Sequence, residues 1–327
     1  MKKLLLFISL CCLLLTGCGA EPPAGKLVFC DAGWDSIRFH NAVVKYIAKQ
    51  AYGLDAEDLA GSTPITYAAL LRGDADIYME LWSSNMATYD ADVKAGRFHV
   101  AGTNYDDNRQ GIYVPRYVVY GDQARKIAPL APDLKTVADL SRYPGLFKDE
   151  EHPEKGRLYG AIPGWAIDEI MFKKYKYYGL DKNFTYFRPG SDAALNAAFN
   201  TAYEKGLPIA GYNWEPTWIS GKLDLLLLED APYEEKAFQE GRTAAPAVPV
   251  TIGVSNNAWQ KYPELVKFLQ HYRTSSALTA EALAYIADNK ASYDAAARFF
   301  LQKHPELWTK WLPQDKAAQV QQELKKA

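Results

Sequence analysis

The chain has 327 residues and a formal net charge of −2, with both signs dispersed and no basic run, which argues against a nucleic-acid partner. Its 22 tyrosines and 8 tryptophans are enough to line a ligand cleft as well as hydrophobic cores. About 300 residues beyond an N-terminal leader exceed one comfortable core, so we expect two lobes.

The N-terminus is typical of an export signal. Two lysines at positions 2 and 3 precede an apolar stretch, residues 4–15, that is too short to span a bilayer comfortably. The next residues, Leu15-Thr16-Gly17-Cys18, resemble a bacterial lipobox, in which the cysteine is lipidated and becomes the mature N-terminus. We therefore predict a lipoprotein signal peptide over residues 1–17, a lipid on Cys18 and a flexible tether over residues 18–25. The alternative is an ordinary secretory signal with an incidental cysteine.

The signal removes Cys11 and Cys12 and the lipid occupies Cys18, so Cys30 is the one cysteine left with a free thiol. A single thiol builds neither an internal disulfide framework nor a cysteine metal site. Because Cys30 follows an apolar run, we interpret it as a small buried core residue rather than a reactive thiol. The rest of the chain is predicted to lie outside the cytoplasm and to rely on its own core.

The first part of the mature chain alternates strands and helices. We predict a strand over residues 26–30, a helix from Asp35-Ser36 to about Tyr52, a helix from Ser62-Thr63-Pro64 to Gly73, and a strand over residues 76–80. This alternation predicts an α/β fold with a mostly parallel sheet and a ligand at the carboxyl ends of its strands.

A second α/β unit follows. Residues 111–120 are rich in β-formers, but Pro115 argues against a central strand, so we interpret them as a crossing between lobes. Further strands are predicted over residues 157–162, 209–213, 223–228 and 249–254, with a helix over residues 166–178 and helices at the C-terminus. The predicted division is residues 26–117 plus 230–327 for lobe 1 and residues 118–229 for lobe 2.

Four tryptophans each follow a predicted strand, two in each lobe, among Gly, Pro, Asn and Ser neighbours: Trp34, Trp82, Trp165 and Trp214. Taken singly, each could instead cap a core. Together they predict one cleft between the lobes, where converging indole faces hold a quaternary ammonium by cation–π attraction. The remaining tryptophans receive a different interpretation: Trp259, Trp308 and Trp311 pack in the core, and Trp218 is structural.

Other groups are candidates for binding the carboxylate or hydroxyl that the ligand carries at the end opposite its ammonium. The backbone amides of Gly164, Trp165 and Ala166, where a helix begins, suit a carboxylate. Asp35 or Asn85 suits a hydroxyl, although Asp35 also fits a helix cap. Tyr113 either adds a wall to the cage or lines the hinge.

Enzymatic chemistry finds no support in the sequence. The five histidines lack metal-ligand spacing, and there is neither a Gly-x-Ser-x-Gly elbow nor a phosphate-cradling glycine-rich loop. No nucleophile is paired with a base. We therefore predict a protein that is not an enzyme and that needs no metal or cofactor.

Four stretches resemble one family in order along nearly all of the mature chain. They are residues 33–41 (GWDSIRFHN), residues 73–82 (GDADIYMELW), residues 111–115 (GIYVP) and residues 214–218 (WEPTW). They are similar to the substrate-binding proteins of ABC importers for glycine betaine, choline and related quaternary amines. The resemblance implies a two-lobed periplasmic-binding-protein fold of type II that closes over its ligand. It also implies delivery to a membrane permease driven by a cytoplasmic ATPase, in osmoprotection or nutrient uptake.

The resemblance carries over residue by residue. It implies that Trp34, Trp82, Trp165 and Trp214 form the cage and that the amides at 164–166 hold a carboxylate. Members of this family often have a histidine after the Trp-x-Pro stretch that helps to hold that carboxylate, whereas this chain has Thr217, a weaker and uncharged partner. Choline, carnitine and proline betaine therefore stay open beside glycine betaine. The same fold binding an amino acid or a peptide, and an extracytoplasmic enzyme, are the alternatives.

Overall fold

The structure is a computed structural model that describes residues 26–326. The predicted signal peptide, Cys18 and the tether lie outside the described residues. Across residues 26–326, no helix combines the length and the apolar character that a membrane span requires.

Within residues 26–326, ten strands form two five-stranded sheets. The first sheet contains β1 (Leu27–Asp31), β2 (Ala56–Ala60), β3 (Ile77–Trp82), β4 (His99–Tyr105) and β10 (Val250–Val254), in the order β2-β1-β3-β10-β4. The second contains β5 (Gln110–Pro115), β6 (Gly156–Tyr159), β7 (Phe184–Phe187), β8 (Gly211–Trp214) and β9 (Leu225–Leu227), in the order β7-β6-β8-β5-β9. In each sheet four strands point in the same direction, and one strand, β10 in the first sheet and β5 in the second, runs antiparallel to both of its neighbours.

Helices cover both sheets. They are α1 (Asp35–Tyr52), α2 (Thr63–Arg72), α3 (Tyr89–Lys94), α4 (Arg116–Tyr120), α5 (Ala166–Tyr177), α6 (Asp192–Lys205), α7 (Glu235–Gln239), α8 (Asn256–Lys261), α9 (Pro263–His271), α10 (Ser276–Asn289), α11 (Tyr293–Lys303), α12 (Pro305–Trp308) and α13 (Gln314–Leu324). Short 3₁₀ turns occur at Ser83–Asn85, Val137–Arg142, Leu180–Lys182 and Thr309–Trp311. We call the part of the chain built on the first sheet the first lobe, and the part built on the second sheet the second lobe.

The helix α1 organises the core of the first lobe. Its apolar residues recur at helical spacing, and it contacts β1 and β3 as well as α10, α11 and α13. It ends at Gly53, whose φ of 69° is the left-handed conformation that a helix C-cap favours. Cys30 is buried in β1, where its thiol donates to the backbone oxygen of Thr66, so it is a core residue, as predicted.

The division between the lobes differs from the predicted one at both crossings. The predicted division places Gln110–Pro115 in lobe 1, but this segment is the strand β5 of the second sheet and pairs with β8 and β9. Pro115 is tolerated because it is the last residue of that strand. The first crossing therefore lies between Tyr105 and Gln110.

The return crossing also lies later than residue 230. The buried ammonium of Lys174, on α5, pairs with the Asp230 carboxylate and donates to the Thr243 backbone oxygen at 2.7 Å. A buried ammonium needs such acceptors, so this segment stays with the second lobe. The two crossings then meet, since the Asn108 side-chain amide bonds to both backbone groups of Val248, at 2.5 and 3.3 Å.

Candidate functional site

A cavity lies between the two lobes. Aromatic side chains dominate its wall, together with Thr63, Glu80, Asn85, Met86, Ala166 and Ile167; the aromatic residues are Trp34, Tyr78, Trp82, Trp165, Tyr212 and Trp214. With its opening to solvent, the cavity encloses about 390 Å³ of space.

The four predicted tryptophans all lie on this cavity. Trp34 follows β1 and Trp82 ends β3 in the first lobe, whereas Trp165 precedes α5 and Trp214 ends β8 in the second. The Trp165 ring makes edge contacts with Trp34 across the lobes, at 5.4 Å between centroids, and with Trp214 at 5.0 Å. Tyr212 stacks on Trp214 at 5.6 Å and 18°. Rings set at right angles present faces from several directions, which is the geometry that surrounds a cation.

A buried carboxylate lies against the tryptophan rings. Oε2 of Glu80 accepts hydrogen bonds from the indole nitrogens of Trp34 (2.6 Å) and Trp82 (3.3 Å) and from the Ser36 hydroxyl (3.0 Å). Among residues 26–326, the other oxygen, Oε1, meets no hydrogen-bond partner at bonding geometry, and Nε2 of His40 lies 3.5 Å from it. Burial raises the pKa of Glu80 to about 7, against the lowering effect of its donors.

The second lobe contributes the start of α5. Trp165 is the N-cap residue, and both Ala166 and Ile167 in the first turn line the cavity. The first amides of a helix have no partner within it and favour an oxygen ligand. The Gly164 backbone oxygen accepts the amide of Thr63 from the first lobe at 3.1 Å. This bond joins the lobes at the edge of the cavity.

Gly164 itself is held in a conformation that suits glycine. Its φ is +87°, and a Cβ there would lie 2.9 Å from the Ser62 Cβ of the first lobe. We expect Gly164→Ala to weaken the binding of every ligand by about tenfold, because strain of about 1–2 kcal/mol and the new contact oppose closure. Isothermal titration calorimetry measures the change.

Gly145→Ala is the control for that variant, because a Cβ there meets nothing within 4 Å. We expect it to bind like the parent. An unchanged affinity in Gly164→Ala would show that this contact does not matter for closure.

Asp35 and Asn85 take part in other contacts between the lobes. The carboxylate of Asp192, on α6, accepts the backbone amide of Asp35 at 3.0 Å, and the Asp35 carboxylate accepts the Tyr293 hydroxyl at 2.6 Å. Burial, and then the charge of Asp35, raise the pKa of Asp192. Asn85 lines the cavity, and its amide exchanges two hydrogen bonds with Gln110, at 3.1 and 3.3 Å. Asp35 does not line the cavity, and its role as a hydroxyl ligand stays a prediction.

Tyr113 and Thr217 are also absent from the cavity wall. Tyr113 is buried, and its hydroxyl lies 3.5 Å from the Glu215 carboxylate. The Thr217 hydroxyl accepts the amide of Ser220 at 3.1 Å in a local turn. Thr217 borders a separate small space that it shares with Asp35 and Asp192. The residue that replaces the family's histidine therefore does not face the tryptophan cavity.

Sequence reasoning missed half of the lining residues: Thr63, Tyr78, Glu80, Met86, Ile167 and Tyr212. Three of them carried a usable signal. Side chains two apart on a strand share a face, so Trp82 implies Glu80 and Tyr78, and Trp214 implies Tyr212. The others come from turns and helix starts of both lobes, where no periodicity identifies a neighbour.

Known proteins resemble this chain along most of its length. Three solved structures share its fold. A choline binding protein of an ABC transporter in complex with choline has 19% identity and a TM-score of 0.72, over 93% of this chain and 100% of that one. The glycine/betaine/L-proline-binding protein ProX from Borrelia burgdorferi has 18% identity and a TM-score of 0.70, over 90% and 99%. Lactococcal OpuAC in its closed form with glycine betaine has 19% identity and a TM-score of 0.68, over 88% and 99%.

The predicted fold class, a two-lobed periplasmic-binding-protein fold, is confirmed by these matches. Residues 25–303 also match OpuAC, the substrate binding domain of the ABC-type glycine betaine transport system. The chain therefore belongs to this family of ABC-transporter substrate-binding proteins.

Proposed function

We propose that this protein is the receptor of an ABC importer and captures a quaternary ammonium compound between its lobes for delivery to the permease. The observation that carries the proposal is the convergence of four tryptophans, two from each lobe, on one cavity. The family consists of transport proteins rather than enzymes, and binding proteins of ABC importers act outside the cytoplasm. Two solved relatives hold choline and glycine betaine.

Physical chemistry links this cavity to an onium ligand. A methylated ammonium is weakly hydrated, and each desolvated indole face attracts it by about 2 kcal/mol. Within residues 26–326, the lining side chains include no lysine, arginine or histidine that would repel a cation. Such a cation would be held by the rings of both lobes at once, which stabilises the closed arrangement over the open one.

The contacts between the lobes support a closing motion around this ligand. The bond from Thr63 to Gly164 and the edge contact of Trp34 with Trp165 both join the first lobe to the second. The crossings at Asn108 and Val248 provide the connection about which the lobes would move. We also propose that a lipid on Cys18 keeps the receptor near its permease, and mass spectrometry of the membrane-extracted N-terminal peptide would test it.

Ligand titration tests the proposed function. We expect calorimetry and tryptophan fluorescence to detect micromolar or tighter binding of at least one of choline, glycine betaine, carnitine and proline betaine. The matched control ligand is 3,3-dimethyl-1-butanol, which has the shape of choline with carbon in place of the charged nitrogen. It should bind at least about 100-fold more weakly, because it loses the cation–π attraction of several rings. Preferential binding of an uncharged solute or an ordinary amino acid would contradict the proposal.

A further inference from the structure

We propose that the Glu80 carboxylate is the counter-ion of the tryptophan cavity and makes it select onium compounds of net positive charge, such as choline, over zwitterionic betaines. This inference rests on the proposed function, since it assumes that the cavity holds an onium. It adds the net charge that the ligand must have and the residue that sets this requirement.

The first argument is the position of Glu80. It lies on β3 between Tyr78 and Trp82, and all three side chains line the cavity. Its Oε2 is held by the indole nitrogens of Trp34 and Trp82, so the carboxylate is fixed to two of the rings that would face the cation. Its Oε1 lies 3.5 Å from Nε2 of the buried His40, and the buried Tyr105 hydroxyl interacts with the same carboxylate. Glu80 therefore offers a ligand in the cavity its negative charge rather than a free hydrogen-bond acceptor.

The second argument is the balance of charge. Glu80 is the single carboxylate among the lining residues, and within residues 26–326 no lysine or arginine lines the cavity to neutralise it. A buried anion without a cationic partner is unfavourable, and a cationic ligand supplies the missing charge. A betaine brings its own carboxylate into the same enclosed space, where Glu80 repels it.

The third argument is the set of groups around Glu80. His40, on α1, is fully buried with a pKa lowered by burial to about 3, so it stays neutral; its ring contacts the Tyr272 hydroxyl at 2.7 Å. Three tyrosines interact electrostatically with Glu80: Tyr78 on β3, Tyr105 at the end of β4 and Tyr272 after α9. One acid of the second lobe, Asp192 on α6, does so as well. None of these groups provides a positive charge. When Glu80 is ionised, a cationic ligand supplies the positive partner that these groups do not provide.

These arguments give a pH dependence with a definite sign. Because the pKa of Glu80 is raised to about 7 without a ligand, part of the population carries a proton at neutral pH. A cation binds better to the ionised form, so its affinity rises with pH up to about 8 and falls toward pH 6. The affinity for a betaine gains nothing from ionisation of Glu80. Protonation of Asp192 affects closure over both ligands equally, so its contribution cancels in the ratio of the cation affinity to the betaine affinity.

The experiment compares the parent with Glu80→Gln by calorimetry at pH 6, 7 and 8, with choline and glycine betaine as probes. We expect the parent to bind choline at least tenfold more tightly than glycine betaine at pH 8. Glu80→Gln should weaken choline by about 10- to 100-fold, leave glycine betaine unchanged or tighter, and remove the pH dependence of the ratio. Asp192→Asn removes a buried acid outside the cavity and should change both affinities by the same factor.

Three outcomes would overturn the inference. The first is a parent protein that prefers glycine betaine at pH 8. The second is an equal loss of affinity for both ligands in Glu80→Gln, which would make Glu80 only a support for the indoles. The third is a ratio of choline affinity to glycine betaine affinity that does not change between pH 6 and 8 in the parent, and this measurement decides if Glu80→Gln fails to fold. Failure of the proposed function gives a different result, since neither probe would then bind the parent at any pH.

Discussion

Trp214→Ala is expected to weaken the binding of choline or glycine betaine by about 100-fold. Trp214 lies at the centre of the second-lobe wall, where it stacks on Tyr212 and contacts the edge of Trp165. Its loss removes one cation–π partner, worth about 2 kcal/mol, and admits water to its neighbours, so a total of about 2–3 kcal/mol is reasonable. Calorimetry on the parent and the variant under the same buffer conditions measures this difference.

The matched control for this variant is Trp259→Ala. Trp259 is partly buried, stacks on His99 at 4.3 Å and does not line the cavity. The Trp259→Ala variant also loses one tryptophan side chain, but from outside the cavity, so we expect its dissociation constant to equal that of the parent. Trp214→Phe should retain part of the affinity, because a smaller aromatic face remains. If Trp214→Ala binds as tightly as Trp259→Ala, the aromatic cage is the wrong explanation of binding.

Trp308→Ala is expected to have the opposite profile, with a large loss of stability and no change in affinity. Trp308 is fully buried in the helical part of the first lobe, and its indole nitrogen donates to the Leu301 backbone oxygen at 2.6 Å. Truncation of a buried tryptophan leaves a large cavity and an unpaired carbonyl, which costs about 3–5 kcal/mol of unfolding free energy. Urea denaturation followed by circular dichroism measures this loss.

The binding of Trp308→Ala is then measured at a low temperature at which the variant is fully folded. Trp259→Ala again serves as the control, and its partly exposed ring should cost less stability than Trp308. A Trp308→Ala protein that is as stable as the parent, or one that is folded but binds much more weakly, would contradict the assignment of Trp308 to packing alone.

The sequence predicted the local elements around the site well. Helical spacing of apolar residues and a glycine after the last turn defined α1, and short β-rich runs before a Gly-Trp or Trp-Ser turn defined β1 and β3. The tryptophans could be grouped from the sequence because the carboxyl ends of neighbouring parallel strands lie at one edge of a sheet. Their meeting in one cavity follows from that rule applied to both lobes. Their role in binding stays a prediction.

Which strands pair and which residues meet across the lobes was decided by the tertiary structure. The strand β5 carries Pro115 and looked like a crossing, yet it pairs with β8 and β9 because its proline falls on the last residue. The sequence suits Asp35 either to a ligand or to a helix cap, whereas in the structure its carboxylate accepts the hydroxyl of Tyr293, a residue far away in the sequence. Strand pairing and contacts between lobes join residues with no local pattern in common, so no short-range periodicity reveals them.

The surroundings of Glu80 follow in part from the sequence and in part from the tertiary structure. The residues around it, Tyr78-Met79-Glu80-Leu81-Trp82, determine by alternation that Glu80 and Trp82 share a face of β3. They do not determine that Trp34 donates to the same carboxylate, that His40 stays neutral, or that the second oxygen of Glu80 lies beside His40. The sequence by itself determined the fold class and the aromatic character of the site. The charge that the site presents to a ligand depends on burial and on neighbours brought from distant segments, so only the tertiary structure decided it.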